Sequence, residues 1–255
     1  MSLTKIALRF AAPLPNLEQF DRYLFVGPHP DDIEIGAGAT VSRLVSRGKQ
    51  VIFLICTDGR YGDENTALRG QVLARARKEE ARRSAGLLGV TDVRFLGLSD
   101  GGFYPPEELF SGIAKVIGEV RPQIIFAPDP CVDSECHVDQ LNVGQAVRRL
   151  AYLASNHGVM EQYGAKASQI QALAYYMTAR PDRFVSTRGH LQKQLDAVFT
   201  CHESQFPAGR AGADSIRLYL KLRSVDFGIR SLKGQAEGFR VLGQTQMHCL
   251  PEADK

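Results

Sequence analysis

Short apolar runs alternate with longer amphipathic stretches through the first half of the chain. Four of these runs are typical of strands buried on both faces of a parallel sheet: RYLFVG (22–27), VIFLICT (51–57), DVRFLG (92–97) and IIFAP (124–128). Apolar residues at helical spacing between them predict helices over 34–47, 68–88 and 106–119. Because a parallel crossover needs a long and usually helical connection, this alternation predicts a mostly parallel sheet with helices on both faces.

The second half of the chain has a weaker pattern. It predicts a helix from about 139 to 154, a strand at LAYYMT (173–178) and a helix near 191–199. There is no internal repeat, linker or low-complexity tract, and 255 residues suit one large core. We therefore expect a single Rossmann-like, three-layer α/β domain over residues 1–255, with ligands at the carboxyl ends of the strands.

Composition and charge exclude several classes of protein. Apolar residues make up 44% and charged residues 23% of the chain, as in ordinary globular proteins. The net charge of +3 is spread out, and the densest basic stretch, RARKEEARR, contains no aromatic residue, so no nucleic-acid partner is expected. No apolar run approaches a membrane span, and Lys5 and Arg9 interrupt the N-terminal apolar residues, so neither a membrane partner nor a signal peptide is expected.

Cysteine usage indicates the compartment. The five cysteines are scattered and form no CxxC pair, which suits a reducing environment and predicts a cytoplasmic protein. The sequence does not determine the oligomeric state. It is compatible with a homo-oligomer.

The strongest local signal is GPHPDDIE, directly after the first predicted strand. His29, Asp31, Asp32 and Glu34 gather an imidazole and three carboxylates within six residues. Like charges this close raise one another's pKa unless a cation neutralises them, and a divalent ion accepts both nitrogen and carboxylate ligands. Zinc is the natural candidate, with another divalent metal as an alternative. The aspartates could instead cap the helix that begins here.

A second cluster, DPCVDSECHVDQ (129–140), follows the fourth predicted strand. It carries His137 and Asp139, which would be an ordinary surface pair if they stood alone. Two polar clusters at the carboxyl ends of neighbouring strands favour a site instead. The chain has no GxGxxG after its first strand and no GxSxG, which disfavours a dinucleotide enzyme and a serine hydrolase.

PHPDDIEIGAG resembles the PHPDDxE motif of the LmbE/PIG-L family, metal-dependent de-N-acetylases of N-acetylglucosaminyl compounds. Further stretches are similar to motifs of this family and occur in the same order: TDGRYGDE, RKEEARRSAGLLGV, CHVDQLNVGQAV, KQLDAVFTCHESQF and AEGFRV. The similarity covers roughly residues 22 to 241. It implies an LmbE-like domain that hydrolyses an N-acetyl group on a small amino-sugar or glycoconjugate substrate.

The resemblance also implies residue roles. His29 and Asp32 would bind the metal, and Asp31 would be the general base that takes a proton from the metal-bound water. His137 would stabilise or protonate the tetrahedral intermediate, and Asp139 would orient His137. These roles match what amide hydrolysis requires: an activated water, a Lewis acid and a proton for the leaving amine.

Three further residues have weaker assignments. Arg60 and Asp63, in the loop after the second strand, could contact substrate hydroxyls or a phosphate, or could simply belong to a solvated loop. His202 in CHESQ could line the pocket or could make a structural hydrogen bond.

The chain departs from the family at one position. The family pattern is His-x-Asp-His, whose last histidine completes the metal triad, but this chain has Gln140 there. An amide oxygen is a weaker zinc ligand than imidazole. Gln140 could bind through its oxygen with a preference for harder ions, or Cys131, Cys136 or another residue could supply the ligand. Alternatively, the protein binds a sugar-like ligand without hydrolysing it.

Overall fold

The described part of the chain is built on a seven-stranded, mostly parallel sheet. The computed structural model describes residues 7–8, 10–62, 68–207, 209, 211–248 and 250. Its strands are β1 (Arg22–Gly27), β2 (Gln50–Thr57), β3 (Asp92–Leu98), β4 (Ile124–Pro128), β5 (Ala172–Tyr176), β6 (Arg183–Ser186) and β7 (Ala236–Gly243). They lie in the order β3-β2-β1-β4-β5-β7-β6. Strands β1 to β5 are parallel, whereas β7 is antiparallel to both β5 and β6.

Helices cover both faces of this sheet. They are α1 (Asp32–Ser46), α2 (Gly70–Leu88), α3 (Pro106–Val120), α4 (Val138–Leu153), α5 (His157–Gln162), α6 (Leu191–Cys201) and α7 (Ala211–Ser231), and a 3-10 turn (Gln244–Met247) follows β7. Because strand side chains alternate between faces, Leu24 and Val26 pack with α3 and α4, whereas Tyr23 and Phe25 pack with α1. Within the described ranges, no helix combines the length and the apolar character needed to cross a bilayer.

The predicted α/β fold with a mostly parallel sheet is confirmed. The predicted bounds of β1 and β4 agree with the structure, and the helix predicted from residue 34 begins earlier, at Asp32. The strand predicted over 173–178 is Ala172–Tyr176. The elements that were not predicted are α5, β6, α7, β7 and the 3-10 turn.

The strand order creates a crevice beside β1. From β1 the chain builds outward through β2 and β3 on one side, and then returns to place β4 on the other side of β1. In open α/β sheets, ligands bind at such a reversal of strand order, outside the carboxyl ends of the strands. The loops that leave β1 and β4 carry the two polar clusters found in the sequence, so both clusters meet at this crevice.

Candidate active site

The first polar cluster lies in the loop between β1 and α1, and the backbone of this loop is strained at Asp31. Pro28 and Pro30 restrict the backbone on either side of His29. Asp31 has φ of 121°, a conformation that costs a residue with a side chain about 1–3 kcal/mol. Asp31 occupies the N-cap position of α1, but its side chain makes no capping hydrogen bond. Helix capping, the alternative considered from the sequence, is therefore not what this carboxylate does.

The imidazole of His29 lies between two carboxylates. Its Nδ1 is 3.0 Å from Asp32 Oδ2, and its Nε2 is 3.0 Å from Asp139 Oδ2. Burial alone would lower the pKa of His29, but the charge of Asp32 and the hydrogen bond with Asp139 raise this pKa to about 10. Burial works in the opposite sense on the two acids, yet contact with His29 lowers the pKa of both carboxyl groups. The three side chains form one charged, largely buried unit.

Asp139 is held by the loop that follows β3. Its carboxylate accepts hydrogen bonds from the backbone N–H groups of Gly101 at 2.7 Å and Gly102 at 2.9 Å, and from the Tyr104 hydroxyl at 2.9 Å. Both glycines have positive φ, which turns their N–H groups toward the acid. The carboxylate is 3.9 Å from His137 Nδ1, which is beyond hydrogen-bond distance. Asp139 therefore orients His29 here rather than His137, the partner expected from the sequence.

His137 stands at the open side of the cluster. Its side chain is 49% exposed, and its ring centroid is 4.5 Å from that of His29. Nδ1 caps α4 by accepting a hydrogen bond from the backbone N–H of Asp139 at 3.2 Å. Because Nδ1 is an acceptor, a neutral ring carries its proton on Nε2. The exposed His137 ring can therefore donate a hydrogen bond to a bound molecule.

Asp31 is buried next to His29 and Asp32 and is paired with Arg77 of α2. Arg77 Nη2 is 3.2 Å from Asp31 Oδ2, and the guanidinium also donates to the carbonyl oxygens of Pro30 and Gly59. Burial raises the pKa of Asp31 to about 6, although the positive charge of Arg77 opposes this rise. A carboxyl group with this pKa is mostly ionised at neutral pH and can accept a proton.

Gln140 lies against Asp32 and has one unpaired polar atom. Its Nε2 donates to Asp32 Oδ1 at 2.7 Å, while its buried Oε1 has no hydrogen-bond partner. A buried oxygen without a partner is costly unless a donor or a cation satisfies it. The imidazole of His29, the carboxylate of Asp32 and this amide oxygen form a donor set that suits a divalent ion, so the residues present fit a metal.

A second set of potential ligands shares His29. Ligand atoms of His29, His137 and Asp139 all lie within 4.8 Å of one another. Neither Cys131 nor Cys136 belongs to this group in the described part of the chain. Both are exposed, with Cys131 Sγ 3.6 Å from Arg148 and Cys136 Sγ 3.6 Å from the carbonyl oxygen of Ser134. In the described structure, both thiols thus contact groups outside this set.

His202 belongs to a buried network behind the site. Its side chain has no exposed surface, and Nε2 is 3.3 Å from Glu34, which also accepts a hydrogen bond from Ser84. Burial would lower the pKa of His202, but the bond with Glu34 raises it. A structural hydrogen bond, the alternative to substrate contact considered from the sequence, is what this side chain forms.

The loop after β2 contains the two remaining predicted contacts. Arg60 is paired with Asp58 of the same loop, with Nε 3.0 Å from both carboxylate oxygens. Asp63 lies outside the described residues. Substrate contact by Arg60 or Asp63 stays a prediction.

The structure adds residues that had no assigned role from the sequence. Arg77 lay within a recognised stretch, but its contact with Asp31 joins residues 46 positions apart. Gly101 and Gly102 act through their backbone, and Tyr104 through a hydroxyl near the sheet edge. The Gly-Gly pair after β3 was the sequence signal that could have revealed this loop, since adjacent glycines often mark backbone with positive φ.

Fold and site together define a class of α/β protein with a histidine and aspartate site at the carboxyl edge of a parallel sheet. The GlcNAc-PI de-N-acetylase (PIG-L) family matches residues 24–151. The chain is 33% identical to diacetylchitobiose deacetylase of Thermococcus kodakarensis, over 98% of this chain and 93% of that protein. It is 32% identical to a 1D-myo-inositol 2-acetamido-2-deoxy-alpha-D-glucopyranoside deacetylase of Kineococcus radiotolerans, over 68% of this chain and 55% of that protein.

A solved structure agrees with these sequence matches. N,N'-diacetylchitobiose deacetylase from Pyrococcus horikoshii superposes with a TM-score of 0.87 at 26% identity, covering 98% of this chain and 97% of that one. The chain therefore belongs to the PIG-L (LmbE-like) family, as its motifs indicated. The deacetylases of this family are metal-dependent hydrolases.

Proposed function

We propose that this chain is a metal-dependent hydrolase that removes the N-acetyl group from a GlcNAc-like sugar or glycoconjugate. The observation that carries the proposal is the meeting of Asp31, the His29–Asp32 pair and His137 at one crevice of the sheet. The chain's relatives include deacetylases of amino-sugar compounds, so the same groups would act on the same kind of bond.

His29, Asp32 and Gln140 would hold the metal. When bound, a divalent ion supplies a Lewis acid for the acetamide oxygen and lowers the pKa of water. His29 would use Nδ1 as the ligand atom while its Nε2–H stays hydrogen-bonded to Asp139, the arrangement by which a carboxylate orients a ligating imidazole. We propose zinc as the ion, with the oxygen of Gln140 also favouring harder divalent ions.

Asp31 would act as the general base. Its carboxylate is next in sequence to the ligand Asp32, and the strained backbone together with Arg77 keeps it at the crevice. A carboxylate in this position can take a proton from the attacking water and later deliver it to the leaving amine. Arg77 acts through Asp31 and is a positioning residue.

His137 would stabilise the tetrahedral intermediate. The cap on α4 occupies Nδ1, so Nε2–H is the atom free to donate to the oxygen that gains negative charge. The side chain is exposed enough to reach a bound substrate. A donor already oriented by the helix end costs little reorganisation during the reaction.

Two aromatic rings beside the site support a sugar-sized substrate. Tyr61 and Phe103 are exposed, and they pack edge to face with their centroids 5.9 Å apart. Phe103 directly follows Gly102, one of the groups that hold Asp139. Such rings offer a flat apolar surface against which the C–H face of a pyranose can pack.

The alternative of sugar binding without hydrolysis has no supporting observation. Asp31 and His137, the proposed base and donor, are both present at the crevice. The relatives found by sequence are deacetylases. Gln140 alters the metal ligand set but leaves these two groups unchanged.

Acetate release from N,N'-diacetylchitobiose tests the proposal. Asp31→Asn removes the base while keeping the shape of the side chain, so acetate release should fall by about 10²–10⁴-fold. Asp133→Asn makes the same chemical change at an exposed position of the β4–α4 loop and should leave the rate unchanged. Equal rates for wild type and Asp31→Asn would contradict the assignment of Asp31.

A further inference from the structure

The outward face of α7 carries a continuous row of exposed apolar side chains. They follow one another at intervals of four, three and four residues: Leu218, Leu222, Val225 and Ile229. Their exposed fractions run from 43% for Val225 to 69% for Ile229. Alternating intervals of three and four are the heptad spacing of helices that pair along their length. We call this row the outer face of α7.

The opposite face of the same helix already forms the contact with the domain. Ala213, Leu220 and Phe227 are buried and lie seven residues apart. A globular surface helix normally has one apolar stripe and one polar face, whereas a helix that is apolar on both sides is usually buried on both sides. Packing within the domain buries the inner apolar stripe of α7 but leaves the outer stripe exposed.

The exposed area is large enough for a stable interface. The row and the adjacent Tyr219, which is 54% exposed, amount to on the order of 500 Å² of apolar surface. The largest patch on a typical monomer is about 300–600 Å². Each partner in a standard protein interface buries about 800 Å², and the outer face would supply more than half of that area.

We propose that the outer face of α7 binds the same face of a second copy of this chain. A two-fold dimer brings one surface patch against itself, so a single self-complementary row is sufficient. The proposal concerns a surface away from the crevice, because α7 packs on β6 and β7 at the far edge of the sheet. It does not depend on the proposed hydrolysis.

Charges at the edges of the row favour two helices that lie side by side and point in the same direction. Lys221 and Asp226 are exposed and lie on opposite edges of the row, five positions apart. In a parallel pair, Lys221 of each copy faces Asp226 of the other, the contact that joins flanking positions in parallel coiled coils. Asp226 also has Arg230 at 3.5 Å on its own helix, which leaves one carboxylate oxygen available.

The mass of the full-length protein in solution tests this interface. Light scattering coupled to size exclusion should give the wild type at least twice the chain mass of 28.1 kDa. Leu222→Lys combined with Ile229→Lys should halve the wild-type mass, because four lysines would meet across the two-fold axis. Val72→Lys places one lysine at an exposed position of α2 and should not change the mass. A 28.1 kDa wild type, or an unchanged mass for the double variant, overturns the proposal.

A charge exchange tests the orientation without adding charge to the row itself. Lys221→Glu should weaken self-association by placing two acids at each edge, and Lys221→Glu combined with Asp226→Lys should restore it toward the wild-type dissociation constant. Sedimentation velocity over a dilution series measures this constant. A combined variant that stays as weak as Lys221→Glu would overturn the parallel arrangement, and all these exposed changes should leave acetate release per chain intact.

Discussion

At the residue scale, Gln140 stands where the family pattern His-x-Asp-His has its last histidine. Its amide nitrogen binds Asp32 while its buried oxygen has no partner. A neutral side chain of this kind neither repels a cation nor attracts it as strongly as an imidazole or a carboxylate. In the proposed metal site, the chain therefore offers two strong ligands, His29 and Asp32, and one weak ligand, Gln140.

Gln140→His should raise zinc affinity by about tenfold or more, because imidazole is a stronger zinc ligand than an amide oxygen. Titration against a competing zinc chelator measures the change. Gln162→His adds a histidine at the exposed end of α5 and should leave the affinity at the site unchanged. If Gln140→His binds zinc no more tightly than wild type, residue 140 does not face the metal.

Gly102 shows how the backbone supports the site. It has φ of 78°, and a Cβ there would lie 3.1 Å from Val138 Cγ1. Gly102→Ala should lower the free energy of unfolding by about 1–2 kcal/mol, because a residue with a Cβ is strained in this conformation. Urea denaturation measures the change.

Gly86→Ala is the control, and it should change the free energy of unfolding in the opposite direction. This glycine is exposed in α2, and a Cβ there would meet nothing within 4 Å. Alanine should therefore raise the free energy of unfolding by about 0.5–1 kcal/mol. A Gly102→Ala variant that is as stable as the Gly86→Ala variant would show that the conformation of Gly102 is not constrained.

Single residues differed in how well the sequence revealed them. His29, Asp31, Asp32 and His137 are polar side chains placed directly after buried strands, so residue type and position sufficed to predict a site. The partner of Asp139 could not be predicted, because His137 is two positions away whereas His29 is 110 positions away and comes into contact only through the folded loops. Arg77 was equally hidden because its partner lies on a different element.

At the element scale, Glu237 joins β7 to the middle of α1. Its carboxylate is buried and accepts hydrogen bonds from the backbone N–H groups of Ala39 at 3.1 Å and Thr40 at 2.7 Å. Burial raises the pKa of Glu237 to about 7, although these hydrogen bonds oppose the rise. The folded state thus holds a proton more tightly than the unfolded chain, where the ordinary pKa is 4.5.

This difference makes stability depend on pH. A pKa raised in the folded state contributes stability below pH 4.5, and the contribution is lost as the pH rises to about 7. A pKa of about 7 in place of 4.5 corresponds to about 3 kcal/mol, at about 1.4 kcal/mol per pH unit. Relative to Glu237→Gln, the wild type should therefore lose about 3 kcal/mol of unfolding free energy between these pH values.

Chemical denaturation at pH 4.5, 5.5, 6.5 and 7.5, values chosen to span that range, measures the effect. Glu161→Gln makes the same change at an exposed position of α5 and should follow the wild-type profile. Parallel profiles for wild type and Glu237→Gln would mean that Glu237 does not change its proton affinity on folding.

Elements were predictable where one pattern dominated. The first four strands are short apolar runs, and they were placed nearly at their true bounds. β7 was missed because Glu237 and Arg240 interrupt a strand whose eight residues are all buried. α7 was missed because its two apolar faces leave no polar stripe to reveal a helical period. The arrangement of β6 and β7 depends on antiparallel pairing between distant segments, which a local pattern does not reveal.

At the scale of the whole molecule, chain topology assembles the site. The reversal of strand order at β1 and β4 brings together residues that are more than a hundred positions apart. For example, Gln140 Nε2 lies 2.7 Å from Asp32 Oδ1. Repeated strand and helix units were enough to predict this meeting, because parallel strands end at a common edge. The outer face of α7 lies at the other edge, so the proposed assembly and the proposed chemistry occupy separate parts of the fold.

We propose that this crevice hydrolyses an N-acetyl group with the help of a metal bound in part by Gln140. The most direct measurement follows acetate release from N,N'-diacetylchitobiose by chelator-treated protein during stepwise addition of zinc, manganese or cobalt. We predict that release is lost on chelation and returns to a plateau at about one ion per chain. Unchanged acetate release after complete removal of metal, or no release with any of these ions, would contradict the account.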